Sequence, residues 1–336
     1  MNEEKKDNDE QSAVPSKRAS AIEANILLQP WLRRAGLITL GMAGSLTLLL
    51  GAATYPLSGF LIRPRLKRLP HLKRPHLRAL IRRMGIEFED IEICSFDDTM
   101  LYGWWMKAGA DAPTVVVLHG VNNNRTSVLR AALTLRRAGF NALVLDGRAH
   151  GNSGGRYVTY GFYERRDVET AVNWLISEKK IDKNRIGLAG ESMGAAISLQ
   201  VAAHLPWIRA VWADSPFASL RRIAIEYVRR VTRLPEALVN PVMWTTLQVA
   251  SYRGKFDVNL VDPLALASEI KCPVFLVHGT EDQLIETAHS QNIYDALGGE
   301  KDIWFVEGAA HARSARYAKC EYGNRLIKFF TERLEK

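Results

Sequence analysis

From Glu87 onward, short apolar runs alternate with amphipathic stretches, and the two periods place most elements of the chain. Nearly continuous apolar runs at Thr114–His119, Asn141–Asp146, Arg185–Ala189, Ala210–Ala213, Pro273–His278 and Lys301–Val306 predict strands. Stretches with helical periodicity at Ser127–Ala138, Tyr163–Glu178, Met193–His204, Glu286–Leu297 and Ser314–Glu335 predict the helices between them. Strands that are apolar on both faces need cover on both faces, so the alternation predicts an α/β fold with a mostly parallel, doubly wound sheet. Ahead of it, Ile91–Phe96 alternates, Asp97-Asp98-Thr99 turns and Met100–Met106 returns, the pattern of a hairpin.

Between about residues 216 and 262 the strand rhythm pauses. Leu220, Ile223, Tyr227, Val228 and Val231 fall on one helical face, while Arg221, Arg222, Arg229, Arg230 and Arg233 lie mostly on the other. A helical cap inserted over one edge of the sheet fits this stretch.

The N-terminal quarter has a different pattern. Residues 1–35 form a polar tail, and residues 36–62 carry no charge. As a helix, that stretch is long enough to cross a hydrocarbon core of about 30 Å, with Trp31 and Tyr55 placed as interface residues. A cleavable signal peptide is the competing reading, but the polar stretch ahead is too long for its n-region and the apolar run continues past Ala53. One uncleaved transmembrane helix over 36–62 is therefore expected, followed by a linker over 63–86 and a globular domain over 87–336.

Charge sharpens this picture. The chain carries a net +9, and nine Lys and Arg with no acid lie between Arg63 and Arg83. The basicity is local and follows the apolar stretch, which fits anionic headgroups rather than nucleic acid. The positive-inside rule then places the C-terminal domain in the cytoplasm, at the cell membrane. Three cysteines, Cys94, Cys272 and Cys320, make no disulfide framework and no metal spacing, so reduced, buried thiols are expected.

The chemistry gathers around Gly190-Glu191-Ser192-Met193-Gly194, at the join of a predicted strand and a predicted helix. That is the context of a nucleophile elbow, in which glycines allow a strained turn to hold the serine above the sheet. A serine hydroxyl needs a base, and the base needs an orienting carboxylate. Asp282 follows the strand Pro273–His278, and His311 follows the strand Lys301–Val306, both at the sheet edge that carries Ser192. Asp214 also lies in a loop at that edge and is the rival acid; Glu281 reads as a solvated loop charge. His119 and His150 each precede a glycine in a loop, where turn stabilisation is the simpler role. The loop His119-Gly120-Val121-Asn122 follows the first parallel strand. The N–H groups of Val121 and Met193 are chosen as the oxyanion donors, with Asn122 next after Val121.

These segments resemble the alpha/beta-hydrolase superfamily over about residues 88–336. Val115-Val116-Val117-Leu118-His119-Gly120, Asp146-Gly147-Arg148-Ala149-His150-Gly151, Gly190-Glu191-Ser192-Met193-Gly194 and His278-Gly279-Thr280-Glu281-Asp282 carry the likeness. The nearest resemblance is to membrane-anchored serine hydrolases of the alpha/beta-hydrolase-domain group. It implies Ser192 as nucleophile, His311 as base and Asp282 as acid, with no metal and no organic cofactor. One position departs: Ala149 stands where the family segment usually has glycine. The expected activity is hydrolysis of a carboxylic ester or thioester, including lipid-derived ones, through an acyl-enzyme. Alternatives are a peptidase of the prolyl-oligopeptidase type, which the absence of a propeller-sized N-terminal domain opposes, an acyltransferase, and an inactive membrane-tethered binding scaffold.

Overall fold

A computed structural model describes residues 34, 35, 37, 51, 52, 54–63 and 85–335. The chain divides into Met1–Ala53 and Thr54–Lys336, and the second unit holds the predicted hydrolase domain. It opens with helix α1, residues 54–62. The hairpin follows as β1 (Glu89–Cys94) and β2 (Met100–Met106), paired antiparallel with Glu89 opposite Trp105. Then come β3 (Thr114–Leu118), α2 (Leu129–Arg137), β4 (Asn141–Leu145), α3 (Glu164–Ser177), β5 (Ile186–Glu191), α4 (Met193–His204) and β6 (Ala210–Asp214). The cap consists of α5 (Leu220–Thr232) and α6 (Glu236–Gly254). The chain closes with β7 (Val274–Gly279), α7 (Thr287–Ala296), β8 (Lys301–Val306) and α8 (Cys320–Leu334).

The eight strands lie in the order β1-β2-β4-β3-β5-β6-β7-β8. β2 meets β4 antiparallel, and every pairing from β4 to β8 is parallel. From β3 the chain moves one way to β4 and then back across to β5. The two strand ends on either side of that reversal form a crevice, the usual ligand position in an open α/β sheet. Ser192 follows β5 there, and His119 to Asn122 follow β3.

The central strands β3 and β4 are buried along their whole length, and helices cover both faces. On one face Val116, Leu143 and Leu188 pack with α3 and α4; on the other Val117, Val144 and Trp212 pack with α2 and α8. Trp212 stacks on Phe275 at 4.5 Å between centroids and donates its indole N–H to the Tyr322 hydroxyl at 2.9 Å. The sheet and its helical layers match the sequence reading.

Two expectations change. Of the three cysteines only Cys272 is buried; Cys94 and Cys320 are exposed, Cys94 because β1 turns alternate residues to solvent. The second change concerns the expected transmembrane helix. Most of 36–62, like the tail before it and the basic linker from Pro64 to Met84, lies outside the described residues. Among the described residues no helix is long and apolar enough to cross a membrane. The end of the stretch, α1, belongs to the catalytic unit. Ile62 is buried with Phe217, Val239 and Leu247. Arg253 donates to the Tyr55 carbonyl at 2.6 Å and the Ser58 hydroxyl at 2.7 Å, and the Val158 amide donates to the Ile62 carbonyl at 2.9 Å. The fold therefore begins near Thr54, not near Glu87.

A truncation test follows. Removing residues 1–53 should leave the unit's stability unchanged, whereas removing 1–62 should cost about 2–5 kcal/mol, the range for emptying large side chains from a core. Thermal unfolding of the two truncated proteins measures the difference.

Candidate active site

Ser192 sits between β5 and α4 with φ 54° and ψ −115°, a backbone conformation costing about 1–3 kcal/mol that the surroundings must hold in place. Two glycines make the turn possible. A Cβ on Gly190 would lie 2.3 Å from the Gly194 backbone, and one on Gly194 would lie 2.3 Å from the Leu118 carbonyl oxygen. The Ser192 amide is tied to the Asp214 carbonyl at 2.8 Å. These constraints lift the hydroxyl above the sheet edge at the N-terminus of α4.

The predicted triad is assembled. The Ser192 hydroxyl lies 2.9 Å from His311 Nε2, and His311 Nδ1 lies 2.7 Å from Asp282 Oδ2. With Nδ1–H donated to the carboxylate, Nε2 is left as the acceptor for the serine proton. Asp282 is fixed from all sides. Its Oδ1 accepts the amides of Leu284 and Ile285, each at 2.9 Å. Burial would raise its pKa, but hydrogen bonds from His278 and His311 and the Ile285 amide hold it well below the ordinary carboxylate range. It is therefore a carboxylate at neutral pH, as an orienting acid must be.

His278 is the residue that sequence reasoning left without a role. Wholly buried at the end of β7, it places Nε2 3.2 Å from Asp282 Oδ2 and 2.9 Å from the Ile285 carbonyl. Its Nδ1 takes the Ser290 hydroxyl at 2.6 Å. Its position four residues before Asp282, at the end of a strand, was the available signal, but a strand-end histidine is common without such a role.

The rivals fall away on geometry. Asp214 is fully buried, and its Oδ1 receives the Ser215 and Ser314 hydroxyls at 3.0 and 3.1 Å, while both ring nitrogens of His311 are already engaged. Burial raises the Asp214 pKa against those hydrogen bonds. Its neighbour Glu191 is pushed up to about 8 by burial and by Asp214, with Arg313 opposing. Glu281 is exposed, as expected. His119 lies with Nδ1 2.8 Å from the Gly120 carbonyl and accepts the Gly147 amide at Nε2. His150 bridges the Arg148 carbonyl and the Asn122 amide in the same way. Burial pushes each down to about 4, so both are neutral loop braces.

That last contact decides between the two oxyanion candidates after β3, because the Asn122 amide is taken by His150. Val121 and Met193 line the same cavity as Ser192, and among the described residues neither amide has a hydrogen-bond acceptor. Gly120 brings this loop to within van der Waals contact of Ser192: a Cβ there would be 3.2 Å from the serine Cβ. Ala149, at φ 57°, adopts the left-handed conformation that glycine takes most easily. The loop around it is braced by Arg148, which reaches Asp167 at 2.6 Å and Asp97 at 2.9 Å.

In front of Ser192 opens a cavity of about 500 Å³. The apolar face of α5 forms one wall, through Leu220, Ile223, Tyr227, Val228 and Val231. Leu57, Phe60 and Leu61 of α1 form another, with Leu61 held by the Tyr160 hydroxyl at 2.9 Å. The cap is fastened to the body on its polar side. Buried His289 accepts the Ala218 amide at Nδ1 and donates from Nε2 to Glu226 at 2.6 Å. Arg230 reaches the carbonyls of Gln283 and Leu284 in the acid's own loop.

A strained serine, an imidazole, an ionised carboxylate and two unengaged amides at the carboxyl edge of an eight-stranded sheet define a serine hydrolase of the alpha/beta-hydrolase superfamily. Within it, the chain belongs to the prolyl oligopeptidase family, Peptidase_S9, whose model matches residues 126–336. It is 32% identical over 253 residues to the uncharacterized protein YqkD of Bacillus subtilis, covering 72% of this chain and 80% of that one. The esterase Pf2001 of Pyrococcus furiosus superposes with a TM-score of 0.64 at 27% identity, over 80% of this chain and 97% of that chain. An acylaminoacyl peptidase of Pyrococcus horikoshii shares the fold, at TM-score 0.59 and 19% identity over 77% of this chain and 44% of that one.

Proposed function

We propose that the protein hydrolyses carboxylic esters or thioesters with an apolar acyl group, held at a membrane by the uncharged segment ahead of Thr54. One observation carries this reading: the described residues lining the cavity at Ser192 include no Asp, Glu, Lys, Arg or His. Of the four hydroxyls in that lining besides Ser192, that of Tyr227 sits at the exposed rim and the other three are bonded to backbone. Tyr160 donates to the Leu61 carbonyl, Thr232 to Val228 and Thr246 to Val242, all backbone atoms nearby. A peptide chain would leave its amides without partners against such walls, at about 1–3 kcal/mol each. An alkyl chain loses nothing there. The 27% identity to an esterase points the same way.

In the reaction, Ser192 Oγ attacks the acyl carbonyl as His311 Nε2 takes its proton. The amides of Val121 and Met193 hold the developing oxyanion, the latter with the favourable end of the α4 dipole. His311 then protonates the leaving alcohol, and water, activated by the same imidazole, releases the acid from the acyl-enzyme.

The test is a series of p-nitrophenyl esters from acetate to palmitate, run beside a prolyl p-nitroanilide. Burial of a methylene is worth about 0.8 kcal/mol, so kcat/KM should rise by up to about fourfold per methylene until the cavity is full. A flat series, or an anilide turned over faster than every ester, would reject the proposal.

A further inference from the structure

We propose that the mouth of this cavity docks on an anionic lipid surface, so that acyl chains pass from the bilayer toward Ser192. The choice of substrate rests on the ester-hydrolase reading; the docking itself does not.

The rim is apolar and open. Phe60 is 62% exposed and Val231 66% exposed, and both line the cavity, as do the exposed Leu57 and Tyr227. The tip of the cap extends this surface. Every residue from Val231 to Leu238 is exposed, and the run carries two more large apolar side chains, Leu234 and Leu238, with Leu234 beside Arg229, Arg230 and Arg233. Large apolar side chains from α1 and α5 thus line one entrance, and Leu234 and Leu238 are exposed just beyond the end of α5.

Charge identifies the partner. Between Leu220 and Lys255 the cap carries seven Lys and Arg against two Glu, a net +5. Nine more basic residues begin at Arg63, where α1 ends beside the mouth. The whole chain sums to +9, so everything outside these two segments carries a net −5. The net positive charge of the chain therefore falls in the cap and in the basic run that follows α1 in sequence. Within α5 it is also sorted. Arg222 pairs with Glu226 and Arg230 binds the acid loop, whereas Arg229 and Arg233 are exposed next to the tip, Arg229 against the exposed Glu236. Apolar residues ringed by cations match an anionic bilayer, where each basic residue near the surface strengthens binding about fivefold. A protein seated on the same rim would close the way to Ser192, while a bilayer supplies apolar molecules able to enter it. The segment leading into α1, Gly36–Ala53, is uncharged as well.

The test uses the full-length protein reconstituted into vesicles of phosphatidylglycerol with phosphatidylcholine, or of phosphatidylcholine alone. Hydrogen exchange is followed at residues 231–238, together with turnover of a vesicle-borne long-chain ester and of soluble p-nitrophenyl butyrate. On anionic vesicles, exchange across 231–238 should slow tenfold or more relative to phosphatidylcholine. Arg229→Gln with Arg233→Gln should remove most of that protection, weaken docking roughly twentyfold at low salt, and leave butyrate turnover within twofold. Leu234→Asp with Leu238→Asp, outside the cavity lining, should do the same through the apolar edge. Equal protection on both vesicles, or protection indifferent to both double variants, overturns the proposal. Protection that appears without lipid and grows with protein concentration overturns it in favour of a second copy. Absence of butyrate turnover in the unaltered protein counts against the ester reading alone, and the exchange data still decide the docking.

Discussion

Ser192→Ala is expected to abolish labelling by a fluorophosphonate and to lower ester kcat by roughly 10³-fold or more. The hydroxyl is the atom placed 2.9 Å from His311 Nε2, and among the described residues no other side-chain nucleophile lining the cavity is paired with a base. Some rate above the uncatalysed reaction should survive, because the Val121 and Met193 amides and the apolar walls remain. Alanine at φ 54° carries much the same strain as serine, so the thermal midpoint should barely move. A purified variant with undiminished turnover would remove Ser192 from the mechanism.

The second large effect is at the acid. Asp282→Asn should cost about 10⁴-fold in kcat, the size taken from the same substitution in a serine protease. With its oxygen at the Oδ2 position the amide would turn its NH2 onto the Leu284 and Ile285 N–H donors, so it flips and presents that NH2 to His311 and His278 instead. The imidazole then loses the tautomer that leaves Nε2 free. Asp214→Asn, whose side chain bonds the Ser215 and Ser314 hydroxyls rather than His311, should cost less than tenfold in kcat. The reverse ranking would transfer the role to Asp214. The pH dependence supplies a second readout. Asp282 is depressed below its ordinary 3.8, so its stabilising contribution is complete above about pH 4 and is lost as pH falls through the folded value. Removing the charge should therefore flatten acid unfolding in that range, measured by circular dichroism.

Much of this site was legible in the sequence because strand ends mark loops, and loops at one edge of a parallel sheet converge. Ser192, Asp282 and His311 are 119 and 29 residues from their hydrogen-bond partners. Topology alone joins them, and the alternation of strands and helices fixes that topology. Geometry was needed where residue type is ambiguous. Asp214 and Asp282 both follow strands, and only the hydrogen bonds separate them. Val121 stays ahead of Asn122 for a reason that no spacing reveals: His150 occupies the Asn122 amide. The packing of helix α1 on the catalytic unit was not legible either. An uncharged helical stretch has the same pattern whether its neighbours are lipid tails or the walls of a cavity, so the sequence cannot tell where one use ends and the other begins. Ala149 shows the converse: the resemblance marks it as a departure, and the loop keeps the left-handed turn at a cost of about 1 kcal/mol.

The fastening of the cap bears on how substrates get in and out. Swinging α5 away would separate Glu226 from a buried imidazole and strip Arg230 from two carbonyls. At about 1.5–3 kcal/mol for a charge-assisted bond, the first loss alone would hold an opened state to below about a tenth of molecules. Turnover is then not gated by a hinged lid. Entry and product escape are set by diffusion through a permanent opening, and steady-state progress curves should start without a lag.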